Sequence, residues 1–169
     1  MPQVPQPASE RIVEVPGHPL VVGVRPGQAD LVAQTAAAWA RAAGSSLFFA
    51  YADASRVSEE EFADGHVRHV GLDPDSDDDG WRRTEQELRD WLAGLNLGVA
   101  WEFRYLAGRA DRSLTHLARA VDASAIVVGA RPPHSPHFGH GYSLGQDLAR
   151  HQHRPVLAVP LEVVDWKLR

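Results

Sequence analysis

The fold of this chain is decided by the stretch Leu114-Thr-His-Leu-Ala-Arg-Ala-Val-Asp-Ala-Ser-Ala-Ile-Val-Val-Gly129. After a loop rich in Gly, Pro and His, the chain continues as Gly141-Tyr-Ser-Leu-Gly-Gln-Asp-Leu-Ala-Arg-His-Gln-His-Arg-Pro-Val-Leu-Ala-Val159. Helical periodicity alternates here with short apolar runs, which predicts helix, buried strand, loop, helix and buried strand. α/β proteins bind phosphate at loops that leave a parallel strand and enter a helix, because unpaired backbone N–H groups and the helix dipole converge there. The sequence therefore indicates this loop as the first place to look for a ligand site.

The rest of the chain shows the same alternation between apolar strand patterns and helical patterns. The predicted strands are Leu20–Val24, Leu47–Tyr51, Val99–Tyr105, Ala125–Val128 and Pro155–Val159. The predicted helices are Asp30–Ala43, Thr84–Leu95, one that starts at Ser113, and Ser143–His151. Strands that alternate with helices predict an α/β protein with a parallel sheet and right-handed crossovers.

The composition is that of a globular domain, and it excludes several classes of protein. With 169 residues, of which 44% are hydrophobic, the chain is long enough for one domain with a full core. A net charge of −5 argues against general nucleic-acid binding, which needs clustered Lys and Arg against phosphate. The absence of cysteine excludes disulfides, thiol catalysis and Cys-zinc sites. There is no signal-peptide pattern and no apolar run of membrane-span length, so we expect a cytoplasmic protein without a membrane partner.

Four short segments carry a resemblance to a known family. They are Leu20-Val-Val-Gly-Val-Arg25, Gly108-Arg-Ala-Asp-Arg-Ser-Leu114, Asp122-Ala-Ser-Ala-Ile-Val-Val-Gly129 and Arg154-Pro-Val-Leu-Ala-Val-Pro160. In this order they resemble the universal stress protein (UspA-like) family over residues 20–160. The resemblance implies an open five-stranded parallel sheet flanked by helices, Rossmann-like and of the adenine nucleotide alpha hydrolase-like type. It also implies a homodimer formed through the last strand, with ATP bound by some members and protein partners bound by others.

The resemblance further implies where a nucleotide would bind. ATP-binding members share a loop of Gly, two residues, Gly, nine residues, Gly and then Ser or Thr, and they carry an Asp after the first strand, near the adenine and ribose. In this sequence Gly129 and Ser143 match the first and last loop positions, and Gly141 lies one residue before the third glycine position. The Asp position, which follows Val24, is Arg25. The candidate ligand-binding residues are therefore Val24, Arg25, Gly129, Arg131, Gly141 and Ser143.

Three of the five diagnostic positions depart from that pattern. Pro132 has no N–H for a phosphate and restricts the residue before it. The side chain of Tyr142 occupies space that a glycine would leave, and Arg25 reverses the charge and removes an acceptor for a ribose hydroxyl. We therefore do not expect ATP to bind in the usual mode of the family. The favoured interpretation is a loop that keeps the fold without a ligand. The alternatives are another anionic ligand at Arg25 and Arg131, or ATP bound after a one-residue slip that brings Gly141 close.

Two further motifs point to metal chemistry but are better explained as solvated loops. His134, His137 and His140 recur every third residue, but the prolines among them predict an extended loop whose histidines share no helix face. Asp75-Ser-Asp-Asp-Asp-Gly80 copies the start of a calcium loop, but the twelfth position is Gln86 instead of Glu. Acidic residues before a helix suit its dipole, so a solvated acidic loop is favoured and no metal site is assigned.

The chain ends are predicted to lie outside the main domain. Residues 1–19 hold five of the twelve prolines and predict a flexible N-terminal tail. Residues 20–160 form the stress-protein-like domain, and residues 161–169, which include Trp166, form a C-terminal extension. Because the extension follows the strand through which the family dimerises, it is expected either to lengthen a dimer interface or to form a loosely packed tail.

The favoured function is a homodimeric binding or regulatory module in stress response, with protein partners and a degenerate ATP-binding loop. No activated nucleophile or acid–base pair is visible, so an enzyme is not expected. No cofactor is assigned, and ATP stays open. The first alternative is an ATP-binding switch with weak ATPase activity, centred on Gly129, Gly141 and Ser143. The second alternative is a metal-responsive protein that uses the loop histidines.

Overall fold

The computed structural model describes residues 9–75, 79–130 and 143–163. A short 3₁₀ turn at Ser9–Arg11 precedes the main elements. In chain order these are β1 (Leu20–Gly23), α1 (Leu31–Ala43), β2 (Leu47–Asp53), β3 (Arg56–Glu61), β4 (Val67–Gly71), α2 (Gly80–Gly94), β5 (Trp101–Ala107), α3 (Ala110–Ala120), β6 (Ala125–Ala130), α4 (Leu144–His151) and β7 (Val156–Pro160). Within these ranges, no helix combines the length and the apolar character that a membrane crossing requires.

Five of the strands form one parallel sheet in the order β5-β2-β1-β6-β7. The chain moves outward from β1 through β2 to β5, then returns to pair β6 with β1, and moves outward again to β7. In the register of the central strands, Leu20 lies between Leu47 and Ala125. The predicted open five-stranded parallel α/β sheet is confirmed.

Helices cover both faces of this sheet. On one face, α1 and α2 pack over side chains that include Phe49 and Phe103. On the other face, α3 and α4 pack over side chains that include Leu106 and Ile126. The central strand β1 contributes to both clusters, which explains why its sequence is a continuous apolar run without alternation.

An antiparallel hairpin of β3 and β4 is the one pair of strands that the sequence did not predict. Its strands carry charged residues, including the run Glu59–Glu61, where a predicted strand would show apolar alternation. Tertiary contacts hold it against the sheet instead. The Arg104 guanidinium on β5 donates to the carbonyl oxygen of Asp64 at 3.2 Å, and His116 on α3 lies 3.0 Å from Glu61. The hairpin therefore packs beside β5, the edge strand of the five-stranded sheet, without joining that sheet.

Arg154, which is only 8% exposed, joins the amino ends of β6 and β7. Its Nε donates to the carbonyl oxygen of Ala123 at 2.7 Å, just before β6. Its Nη2 lies 3.6 Å from a carboxylate oxygen of Asp122. Arg154 thus links the start of β7 to the start of β6, which gives the Arg-Pro-Val-Leu segment a structural role.

Replacement of Arg154 tests this link. Arg154→Met keeps the aliphatic stem but leaves the Ala123 carbonyl without its charged donor, so the free energy of unfolding should fall by about 2 kcal/mol. Urea denaturation measures the change. The matched control is Arg150→Met, because Arg150 is exposed on α4, and it should stay within about 0.5 kcal/mol of the wild type. Equal effects of the two variants would contradict a special role for Arg154.

Candidate functional site

The carboxyl ends of β1 and β6 are neighbours, and the chain leaves them toward opposite sides. From β1 it passes through α1 on one face to β2, and from β6 it passes through α4 on the other face to β7. In open α/β sheets, this reversal of strand order leaves a crevice in which ligands bind. Val22 pairs with Val127, and continuing this register places Val24 level with Gly129. Val24 and Gly129, two of the predicted site residues, therefore lie side by side. We call the region formed by residues 24–28 and 129–130 the crevice.

A tight turn over residues 25–28 follows β1 and forms one wall of the crevice. The Gln28 N–H donates to the Arg25 carbonyl at 3.2 Å. Pro at the second turn position and a φ of +73° at Gly27 are typical of a type II turn. Val24 is buried, and its N–H donates to the Ala50 carbonyl at 2.8 Å. The turn thus starts from a fixed point, with Arg25 half-buried at its first position.

Gly129 forms the opposite wall, and other side chains occupy the space that its missing side chain leaves. A Cβ at this position would lie 2.8 Å from Cδ1 of Leu161 and 3.0 Å from Nε2 of Gln28. The Leu161 N–H donates to the Ala130 carbonyl at 2.8 Å, which holds the start of the C-terminal extension beside the crevice. The packing of this chain itself therefore favours a glycine at 129, because a Cβ there would make Leu161 and Gln28 shift.

The side-chain amide of Gln28 is the polar group that sequence reasoning missed. Its Oε1 is buried and has no hydrogen-bond partner among the described residues. An unpaired buried acceptor costs about 1–3 kcal/mol, so a donor supplied at this position would stabilise the protein. The sequence offered one signal, because Gln28 is the first side chain with both a donor and an acceptor after the Pro-Gly turn.

Ser143 caps the N-terminus of α4, where its Oγ accepts a hydrogen bond from the Gln146 N–H at 3.3 Å. This places its hydroxyl at the end of the helix that follows the β6 loop. Arg131 and Gly141 lie outside the described residues, so their predicted roles, and the one-residue slip at Gly141, stay predictions.

The described residues contain no group of three His, Cys, Asp or Glu side chains placed to hold a metal ion. The loop histidines 134, 137 and 140 and the central residues of the acidic segment, 76–78, lie outside those residues. The segment does lead into a helix, since α2 starts at Gly80 with Asp79 as its N-cap residue.

A second concavity, which we call the hairpin cleft, lies where the hairpin meets the start of α2. Its volume is about 530 Å³. The residues that line it are Asp53, Ser55, Arg56, Gly71, Leu72, Asp73, Gly80, Trp81 and Thr84. It forms at the carboxyl end of β2, so the hairpin cleft and the crevice lie at the same end of the sheet but beside different strands.

Asp53 is the central acceptor of the hairpin cleft. Tyr105 donates its hydroxyl to Oδ2 at 2.7 Å, and Ser55 donates its hydroxyl and its N–H to Oδ1 at 2.6 and 2.9 Å. Partial burial raises the pKa of Asp53, but these hydrogen bonds and the nearby Arg56 guanidinium outweigh burial, so the pKa lies below its ordinary value. Burial and the bond to Asp53 raise the pKa of Tyr105 far above its ordinary value, which keeps its hydroxyl protonated as a donor.

Aromatic and cationic groups surround this carboxylate. Arg56 is only 5% exposed, and its Nε donates to Nδ1 of His69 at 2.5 Å. His69 contacts the rings of Trp81 and Tyr105, with centroid distances of 4.7 and 5.4 Å. The Arg56 guanidinium lies 5.6 Å from the Trp81 ring centroid. These contacts fasten the hairpin to α2 and β5, so the cleft is explained as the joint that holds this added element.

Comparison with known proteins finds similarity in structure and not in sequence. No family model matches the chain, and no curated protein matches it. A universal stress protein family member from Burkholderia pseudomallei is similar with a TM-score of 0.60 and 21% identity, over 91% of this chain and 99% of that one. The universal stress protein from Archaeoglobus fulgidus in complex with dAMP is similar with a TM-score of 0.57 and 22% identity, over 84% of this chain and 97% of that one.

A universal stress protein in complex with cAMP is similar with a TM-score of 0.57 and 20% identity, over 87% of this chain and 99% of that one. At these identities the similarity establishes the fold. The chain therefore has the fold of the universal stress proteins, of the adenine nucleotide alpha hydrolase-like type, as the sequence resemblance predicted.

The network around Asp53 predicts a pH-dependent stability. The folded pKa lies below the ordinary value of 3.8, so ionised Asp53 stabilises the fold above about pH 4, and this contribution is lost as the pH falls through the folded pKa. Asp53→Asn should lower the free energy of unfolding at pH 7, and the gap to the wild type should narrow at pH 3. Urea denaturation at the two pH values measures both. An exposed control, Asp90→Asn on α2, should change stability at pH 7 by less than about 0.5 kcal/mol. A gap for Asp53→Asn that does not change with pH would refute this account.

The packing at Gly129 predicts a coupling with Leu161. Gly129→Ala forces Leu161 to move and should lower the free energy of unfolding by about 1 kcal/mol. In a Leu161→Ala background the same change should cost less, because the obstructing methyl group is absent and the Gln28 amide is the close neighbour that remains of the two. A double-mutant cycle by urea denaturation measures this coupling. An equal cost of Gly129→Ala in both backgrounds would show that Leu161 does not occupy this space.

Proposed function

We propose that this protein is a stress-response regulatory module whose crevice binds an adenine nucleoside monophosphate and which has no catalytic activity of its own. The observation that carries the proposal is the crevice between β1 and β6, bordered by the turn at residues 25–28 and by Gly129. Ligands of α/β sheets bind at such a position. Proteins of the same fold occur in complex with dAMP and with cAMP, which supports a ligand of this class.

A single phosphate suits this chain better than three. The loop positions that in ATP-binding relatives leave space beside the phosphates are Pro132 and Tyr142 here. Gly129 and Ser143 are the positions of that pattern that remain within the described residues, and Ser143 stands at the N-terminus of α4, whose first N–H groups favour an anion. Arg25 adds positive charge at the other wall. A monophosphate therefore needs fewer of the missing loop contacts than ATP does.

Signalling through partners is the role that these features support. No nucleophile stands beside an activating base in the crevice as far as it is described, so binding is proposed without turnover. The outer edge of β7 has no neighbouring strand within the described residues. An edge strand offers unpaired backbone for association, which supports the proposed homodimer through this strand.

Titration calorimetry of the tag-free protein tests the proposal. AMP should bind with a micromolar dissociation constant, and ATP should bind no more tightly than AMP because Pro132 and Tyr142 restrict the outer phosphates. Incubation with ATP should release no phosphate above the buffer rate. If neither AMP, cAMP nor ATP produced heat, and if denatured protein released no copurified nucleotide, the proposed nucleotide site would be wrong.

A further inference from the structure

The side-chain amide of Gln28 lies in the crevice, and no hydrogen bond from the described residues accounts for the position of its oxygen. Gln28 is half-buried, and its Oε1 is shielded from solvent without a donor among the described residues. Its Nε2 approaches Gly129, at 3.0 Å from the point where a Cβ would stand. The amide thus lies between the two walls of the crevice.

In the loop after β1, Arg25 stands where the resemblance implies a carboxylate acceptor, and Gln28 supplies an acceptor oxygen nearby. The family resemblance implies that ATP-binding members carry an Asp, near the adenine and ribose, at the position that Arg25 occupies here. A guanidinium has donors only, so Arg25 cannot accept a hydrogen bond from a ligand. Gln28 lies three residues later on the same turn, and its Oε1 is an acceptor within the same crevice.

We propose that Gln28 is the residue that recognises the base of the nucleotide, and that it selects adenine. Its Oε1 accepts a hydrogen bond from the exocyclic amino group, while its Nε2 donates to the adjacent ring nitrogen. A primary amide matches this donor–acceptor pair of adenine. Guanine presents an oxygen where adenine has the amino group, so it would leave Oε1 opposite another acceptor. This inference rests on the proposed nucleotide function.

Entry of a base requires neighbouring groups to move, because solvent does not reach Oε1. Leu161 is the adjacent apolar side chain, since Leu161 and Gln28 both approach the same point beside Gly129. A leucine can change rotamer at low cost. The start of the C-terminal extension therefore borders the base-binding position.

Calorimetry with AMP and GMP, together with thermal melting of the ligand-free protein, tests the proposal. Gln28→Met keeps the length of the side chain and removes both hydrogen-bonding groups. It should weaken AMP binding by about tenfold and abolish the preference for AMP over GMP. It should also raise the melting temperature of the ligand-free protein, because the unpaired acceptor is gone.

Gln28→Glu keeps an acceptor oxygen and should retain the AMP preference at lower overall affinity. Gln34→Met, at an exposed position on α1, is the matched control and should leave binding unchanged.

Each contrary result has a distinct meaning. Unchanged AMP affinity in Gln28→Met, with AMP bound by the wild type, overturns the role of Gln28 and leaves the proposed function intact. A lower melting temperature of ligand-free Gln28→Met overturns it as well, because the oxygen would then be paired within the protein. Failure of the wild type to bind AMP or GMP overturns the proposed function, and the role of Gln28 falls with it.

Discussion

The reversal of strand order between β1 and β6 is the constraint on which the rest of this structure depends. Right-handed crossovers from two adjacent parallel strands toward opposite edges place their helices on opposite faces. The backbone therefore separates above the carboxyl ends of these two strands, and no secondary-structure element covers the gap in the part of the chain that is described. The turn after β1, the glycine at the end of β6 and the cap of α4 all border that gap as a consequence.

Buried polar groups lie at both ends of the sheet. At the amino end, the buried Arg154 guanidinium satisfies a backbone carbonyl and ties β6 to β7. At the carboxyl end, the buried Oε1 of Gln28 has no partner among the described residues, and Leu161 fills the place of a missing side chain. Buried polar groups are normally paired. The buried Ser124 Oγ at the amino end is also unpaired among the described residues, so Gln28 is distinguished by its place beside the crevice and not by the missing partner alone.

The parts of the fold that follow from local pattern were predictable, and the parts that follow from distant contacts were not. The apolar run at Leu20–Gly23 and the helical period around Leu88 and Leu92 depend on neighbours in sequence, so strand and helix could be predicted. The hairpin could not, because its inward residue is Arg56, a charged side chain whose burial depends on distant contacts such as those with His69 and Trp81. In the crevice, family resemblance indicated Val24 and Gly129, but the approach of Gln28 and Leu161 to Gly129 brings together residues more than a hundred positions apart in the chain, which a local pattern does not show.

The most direct test of the account is to locate a bound nucleotide on the protein. Amide chemical shifts of ¹⁵N-labelled protein should be recorded during titration with AMP. The account predicts that the largest changes occur at Arg25, Gly27, Gln28 and Gly129, with the hairpin cleft around Asp53 and Trp81 unaffected. Changes centred on the hairpin cleft, with none at the crevice, would contradict it and would assign ligand binding to the joint between the hairpin and α2.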